Sequence, residues 1–221
     1  MKKSRIIIYL LFFCNYSIAI AQKKVSEMSL VYEASITTGS KEPKLADAFD
    51  GATTTVYIKG TMSRSEMVSA LASFTTIHDA TNGSSVILQE VSGQKLLIRM
   101  SAENWKDKNK KYEGITFANT EETKTIAGYK CVKALAKMRD GATFSVYYTN
   151  EIIPDNIEYN YQFKNLEGLP LEYELTQGSL TIKYSVSKIN LNPVPASKFD
   201  IPKIGYRELN YDESRKLGIG Q

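Results

Sequence analysis

Cys131 and His78 are the residues of this 221-residue chain whose types could make a nucleophile and its base. A reactive thiolate is favoured at a helix N-terminus or in an exposed electropositive loop. Cys131 lies instead within an alternating run at 130–138, and no sequence feature brings His78 to it. Cys131 therefore reads as a buried structural cysteine. His78 ends the run Phe74-Thr75-Thr76-Ile77-His78 and reads as a surface or hairpin residue. Carboxylates occur in pairs at Glu121-Glu122 and at Glu172/Glu174. The second pair shares one strand face, about 7 Å apart by strand rise. With Lys183 on the following strand it reads as a water-facing cross-strand ion pair, not as an acid–base dyad. The segment 104–112, Asn-Trp-Lys-Asp-Lys-Asn-Lys-Lys-Tyr, mixes bases with aromatics and could contact an anionic surface. Read as a calcium loop from Asp107 it fails, because its twelfth position is Ala118 instead of Glu. The expectation is a solvated connection with Trp105 packed inward. No constellation for catalysis emerges, and no cofactor or metal is implied.

The elements that position these residues are strands. Asn82-Gly83, Ser92-Gly93, Asp140-Gly141 and Gln177-Gly178 fall between β-prone runs. Asn-Gly and Asp-Gly are the strongest short hairpin signals, since a type I′ turn needs positive φ at both central residues. Asn82-Gly83-Ser84 also matches a glycosylation sequon, but the turn reading is preferred. Phe144, Val146 and Tyr148 alternate with Thr143, Ser145 and Tyr147. Leu169, Leu171, Tyr173 and Leu175 alternate with Pro170, Glu172 and Glu174, and Leu180, Ile182, Tyr184 and Val186 with Thr181, Lys183 and Ser185. Period-two patterning predicts antiparallel sheet with one face on a core. The phase slips at Ser187-Lys188, where Ile189 and Leu191 continue the apolar face, which predicts a β-bulge.

Further strands are expected at 29–38, 53–59, 62–67, 72–79, 86–91, 95–100, 114–119 and 130–138. Short helices are expected at 43–49, 102–110 and 212–217. The fold class is mainly β: a large curved antiparallel sheet or open barrel of about nine to twelve strands. In the corner Gly168-Leu169-Pro170, Pro170 restricts Leu169 to extended geometry and lacks a donor, so it belongs at a strand start or edge. Gly168 would let the backbone turn, and positive φ is one way it could do so.

The first residues carry the three parts of a secretory signal. Lys2, Lys3 and Arg5 are followed by an apolar run at 6–13, and Ala19 and Ala21 precede a cut before Gln22. Asn15, Tyr16 and Ser17 break a stretch already too short for a membrane-spanning helix. Phe12 and Phe13 are too bulky for lipoprotein processing at Cys14. Cleavage at 21/22 leaves 200 residues, read as one β-rich domain. It removes three basic residues, lowering the formal charge from +4 to +1. A near-neutral chain gives no electrostatic case for nucleic acid. Cys131 is then the lone cysteine. The expected location is the periplasm or outer-membrane surface, or secretion beyond it.

The segment TKTIAGYKCVKA, with YYTNEI and GLPLEYE, resembles the GLPGLI family of secreted envelope proteins. The matching residues are Thr123, Lys124, Ile126, Gly128, Tyr129, Cys131, Lys133 and Ala134, then Tyr147, Tyr148, Thr149, Glu151 and Ile152, then Gly168, Leu169 and Pro170. The sequence departs after the proline, with Leu171-Glu172 where the namesake has Gly-Leu. The resemblance spans roughly residues 121–175 and implies envelope location and structural roles for Gly128, Cys131, Gly168 and Pro170. It implies no activity. A leader followed by a curved sheet is also similar, at the level of fold, to periplasmic lipoprotein carriers. The functional expectation is a non-enzymatic domain that holds an apolar ligand, such as a lipid acyl chain, on the sheet's concave face. Tyr57, Tyr129, Phe144, Tyr148, Tyr173 and Tyr184 are the candidate lining. The alternative is an envelope scaffold that binds a protein partner and no small ligand.

Overall fold

The computed structural model describes residues 22–37, 51–177 and 180–218. The expected leader, the helical turn at 43–49 and Gly178 lie outside them. After a short β1 (Lys23–Val25), six strands follow as a meander: β2 (Glu27–Thr37), β3 (Thr53–Lys59), β4 (Met62–Val68), β5 (Ala72–Asp79), β6 (Ser85–Val91) and β7 (Gln94–Met100). Helix α1 (Ala102–Lys108) then leads to β8 (Thr116–Ile126), β9 (Tyr129–Lys137), β10 (Thr143–Thr149), β11 (Ile152–Pro154), β12 (Leu169–Gln177) and β13 (Leu180–Asn190). The chain ends on β14 (Arg207–Asn210) and α2 (Tyr211–Lys216).

Twelve of these strands form one sheet in the order β14-β7-β6-β5-β4-β3-β2-β13-β12-β10-β9-β8, and the sheet does not close. The two meanders are joined where β13 returns to lie beside β2. The mainly β expectation holds, but the sheet is mixed. β14 runs parallel to β7, and β1 pairs in parallel with β11 in a separate two-stranded ribbon.

Turn chemistry explains the tight connections. Ala127 (φ 48°) and Gly128 (φ 85°) turn β8 into β9, and Ser92 (φ 51°) and Gly93 (φ 80°) turn β6 into β7. Both central residues have the positive φ that a primed turn needs. The slip expected at Ser187-Lys188 is present as a register shift between Val186 and Lys188. A second shift, between β10 and β12, sets Tyr147 opposite Glu172 but Tyr148 opposite Pro170, so Leu171 is the extra residue. This bulge interrupts the alternation expected over Leu169–Leu175.

One face of the sheet, here the inner face, carries Leu30, Tyr32, Val56, Ile58, Val146 and Tyr173 through the strand registers. Trp105 of α1 packs on Ile87, Ile98 and Met100 at one end, and Phe163 and Leu166 pack on Val146 and Tyr148 toward the other. On the opposite face Ile201 and Tyr206 cover Val86, Leu88 and Leu97. Among the described residues no helix is long and apolar enough to cross a membrane.

Candidate functional site

Four of the six candidate aromatics meet on the inner face. Val146 pairs with Tyr173, Tyr173 with Tyr184, and Phe144 and Tyr148 share the parity of Val146 on β10. Tyr173 stacks on Tyr184 (4.9 Å between centroids, 20°) and takes Phe163 and Tyr32 edge-on. The other two lie elsewhere. Tyr57 sits between the inward Val56 and Ile58, so it faces outward, where Lys198 lies over its ring. Tyr129 shares the parity of Cys131, Lys133 and Tyr147, opposite to that of Val132 and Tyr148. It packs against the cluster that holds Cys131.

The inner aromatics are not an open platform. A segment between β11 and β12 covers them with two 3-10 turns, Ile157–Tyr159 and Tyr161–Phe163. Each turn is capped by an asparagine. Asn156 Oδ1 accepts from the Glu158 amide at 3.1 Å, and Asn160 Oδ1 from the Gln162 amide at 3.2 Å. Asn156 also donates to the Thr61 carbonyl at 3.0 Å, tying the cover to the β3–β4 hairpin. Beneath the cover Tyr32 donates to the Pro170 carbonyl at 2.8 Å. Burial holds the phenols of Tyr32, Tyr159 and Tyr173 far above their ordinary pKa, so all three stay protonated.

The cover leaves space on both sides of Tyr159. On one side is a cleft of about 470 Å³. Tyr148, Ile153, Ile157, Phe163 and Leu166 supply its apolar wall, and Asn119, Asn150 and Glu167 its polar rim. Ile157 stands 56% exposed at its margin. On the other side is a cavity of about 190 Å³ between the cover, Trp105 and the inner residues of β4 and β5.

Gly168 lines the cleft, and the reason for a glycine there is contact. Its φ is not positive. A Cβ at this position would stand 2.3 Å from the Thr149 carbonyl oxygen and 2.7 Å from Tyr148 Cδ2. The backbone of the corner is pressed onto the end of β10. Pro170 stands at the start of β12, as expected, but on a fully buried central strand and not at an edge, which the neighbouring bulge permits.

Two chemistry-bearing residues also sit differently from expectation. His78 is buried, 2% exposed, because β5 pairs Ser63 with His78 on the inner face. Its ring stacks on Trp105 at 4.8 Å, and its Nδ1 lies 3.1 Å from the Ser84 carbonyl and 2.8 Å from Ser85 Oγ. Burial lowers its pKa, only partly offset by the Ser84 carbonyl and Glu158. Glu172 does not face water. It is buried, 8% exposed, and its carboxylate takes Lys124, Lys183 at 3.3 Å and the Ser185 hydroxyl at 3.3 Å. The expected Glu172–Lys183 pair is present, but inside a two-lysine cluster beside Tyr147. Glu122 belongs to a neighbouring cluster with Lys133 and the Tyr147 hydroxyl.

Cys131 is fully buried, and burial pushes its thiol up to about 11. It lies on β9, seven positions along the sheet from β5 and His78. His78 contacts Ser84, Ser85, Trp105 and Glu158, so the conceivable Cys–His pair is not assembled.

No family model and no curated protein matches the chain. The GLPGLI resemblance therefore rests on its motifs alone. Among solved structures, PNGF-II is similar at 13% identity and a TM-score of 0.48 over 87% of this chain. This chain spans about a third of the PNGF-II chain, 33%. MucB gives 11% identity and a TM-score of 0.35 over 80% of this chain and 58% of its own. A LolA superfamily protein from Nitrosomonas europaea gives 10% identity and a TM-score of 0.38 over 80% of this chain and 90% of its own. At these similarities no activity, ligand or partner transfers to this chain.

Sequence reading missed the cover. Its signal was present as Asn156 and Asn160, four residues apart, each heading a short turn rich in aromatic and branched residues.

Proposed function

We propose that the protein is an exported, non-enzymatic β-domain of the cell envelope. It holds the apolar part of an amphipathic ligand, a lipid acyl chain, in the cleft between the inner face and the 157–166 cover. The observation that carries this reading is the cleft itself. Its volume of about 470 Å³ lies within the range of small-ligand sites, roughly 300–1,000 Å³. One wall is apolar and aromatic, and the polar residues stand at the rim, where a headgroup would meet water. The ligand thus sits at the end of the inner face, beside Tyr148 and the Gly168 corner. It does not lie across the stacked Tyr173 and Tyr184, which are already occupied with one another.

The test is palmitate uptake followed by native mass spectrometry, on wild type and on Ile157→Asp. Ile157 is exposed, so the substitution leaves folding intact while placing a carboxylate at the margin of the apolar wall. One bound palmitate per wild-type chain, lost or weakened about tenfold in the variant, supports the reading. Absence of any adduct, together with no lipid on protein gently isolated from cells, overturns it and favours a protein-binding scaffold.

A further inference from the structure

The inner face changes character along the sheet. From β10 to β3 it is built of Tyr148, Val146, Tyr173, Tyr184, Leu30 and Ile58. On β4 and β5 the same face instead presents Ser63, Ser65, Thr76 and His78, and on β6 Ser85 beside the apolar Ile87. Ser63, His78 and Ser85 are 3%, 2% and 3% exposed. A run of hydroxyls and an imidazole at positions an apolar core would fill costs stability unless their hydrogen bonds are made. Not all are made. His78 Nε2, Gln162 Nε2 and Trp105 Nε1 are buried without a hydrogen-bond partner, and Gln162 as a whole is 7% exposed. All three residues line the cavity of about 190 Å³.

The chemistry of the missing partner follows from these groups. With the proton on Nδ1, donated to the Ser84 carbonyl, His78 Nε2 offers a lone pair; with Ser85 Oγ donating to Nδ1 instead, Nε2 carries the N–H, so a hydroxyl suits either tautomer. Trp105 and Gln162 offer N–H donors. The cavity therefore wants a molecule that both donates and accepts. No cationic side chain lines it, and Glu158 Oε2 lies 3.8 Å from His78 Nε2, so an anion is disfavoured. The remaining walls include the rings of Trp105, Tyr112, Tyr159 and Tyr161. At about 30 Å³ per water the space equals roughly six waters, the bulk of one sugar ring or a cyclic polyol.

We propose that this cavity is a second binding site, separate from the acyl cleft, for a small uncharged polyhydroxy molecule. Hydroxyl groups bridge His78 Nε2, Gln162 Nε2 and Trp105 Nε1, and aromatic rings flank the C–H faces. Trp105 is the single tryptophan of the chain, so its emission reads the site directly.

The test titrates D-glucose, N-acetyl-D-glucosamine and myo-inositol against Trp105 fluorescence, with saturation-transfer NMR on the same samples. A saturable response to at least one of them, weakened roughly five- to tenfold by Gln162→Leu for the loss of one neutral hydrogen bond, supports the site. An unchanged melting temperature in Gln162→Leu shows that the loss is local. No saturable response and no transfer to any of the three overturns the proposal and leaves a cavity filled by structural water. Tighter binding of gluconate or glucosamine than of glucose overturns the assignment of an uncharged ligand.

Discussion

Replacing Gly168 by alanine adds one atom, and its surroundings fix the consequence. The new Cβ would stand 2.3 Å from the Thr149 carbonyl oxygen and 3.0 Å from its carbon. These are backbone atoms of β10, held in register because Thr149 pairs with Leu169 and Tyr148 with Pro170. Relief requires pulling β12 from β10 at the bulge or displacing a side chain that lies in the core. Overpacking of this kind costs about 1–3 kcal/mol. For a chain of this size 1 kcal/mol shifts Tm by about 2–4 °C, so Gly168→Ala should melt roughly 2–12 °C lower. Thermal unfolding followed by far-UV circular dichroism measures it. A second substitution separates contact from backbone strain. If Gly168 were needed for a left-handed φ, Gly168→Asn would be milder than Gly168→Ala, since asparagine tolerates that region. Contact predicts the reverse order, because asparagine is larger. Gly114, at φ +73° with open space where its Cβ would be, supplies the strain-only control. A Gly168→Ala protein melting with wild type, or an asparagine variant more stable than the alanine one, would refute the account.

Glu172→Ala should cost about 1–3 kcal/mol, because it leaves Lys124 and Lys183 without their shared partner in a part-buried site; the cost is below the fully buried range since both lysines keep water contact. Urea denaturation checks it, and a loss under 0.5 kcal/mol would return Glu172 to the role of a solvated residue. His78 has a folded pKa below its unfolded value of about 6.5. The unfolded chain therefore takes up the proton first, and stability is full above about pH 6.5 and falls as pH drops below it. His78→Gln should flatten that part of a stability–pH profile; an unchanged slope rejects it. Cys131, fully buried with its thiol pushed up to about 11, should resist a thiol reagent at neutral pH until the protein unfolds. Cys131→Ser should cost about 1–3 kcal/mol, and rapid native labelling would contradict both statements.

How much of this was legible depended on whether the determinant was local. Residues 53–59, 72–79 and 143–149 form strands over those spans because period-two patterning and flanking turns are local signals. The slip at Ser187-Lys188 was legible for the same reason. The short strands β1, β11 and β14 were not, since each exists by pairing with a distant segment. Tyr57 could have been placed correctly, because it alternates with the apolar Val56 and Ile58. Glu172 could not, since its burial depends on two lysines of other strands and on the Leu171 bulge. His78 was misjudged because a histidine at a strand end looks exposed until the cover and Trp105 are in place. The candidate site was half legible. The inner aromatics were visible in the sequence, but the cover that turns a sheet face into a cleft and a cavity was not.

That cover ties the two proposed sites together. Tyr159 lines both the cleft and the polar cavity, and the two turns, the first of which it ends, hang from Asn156 and Asn160. Asn156 is 8% exposed and makes two bonds of different kinds, a cap to Glu158 and an anchor to the Thr61 carbonyl. Asn156→Ala removes both. Loss of a capping side chain costs on the order of 1 kcal/mol, and the Thr61 carbonyl lies beside a hairpin where water can replace the lost donor. The fold should survive while the cover loosens. Palmitate uptake and the Trp105 response to sugars should then weaken together, though Asn156 lines neither the cleft nor the cavity. Ile157→Asp should affect only palmitate and Gln162→Leu only the sugar response. Proteolysis within 155–166 should quicken in Asn156→Ala alone. If Asn156→Ala lowers one binding signal and spares the other, the cover is not one mechanical unit, and each cavity answers to its own walls.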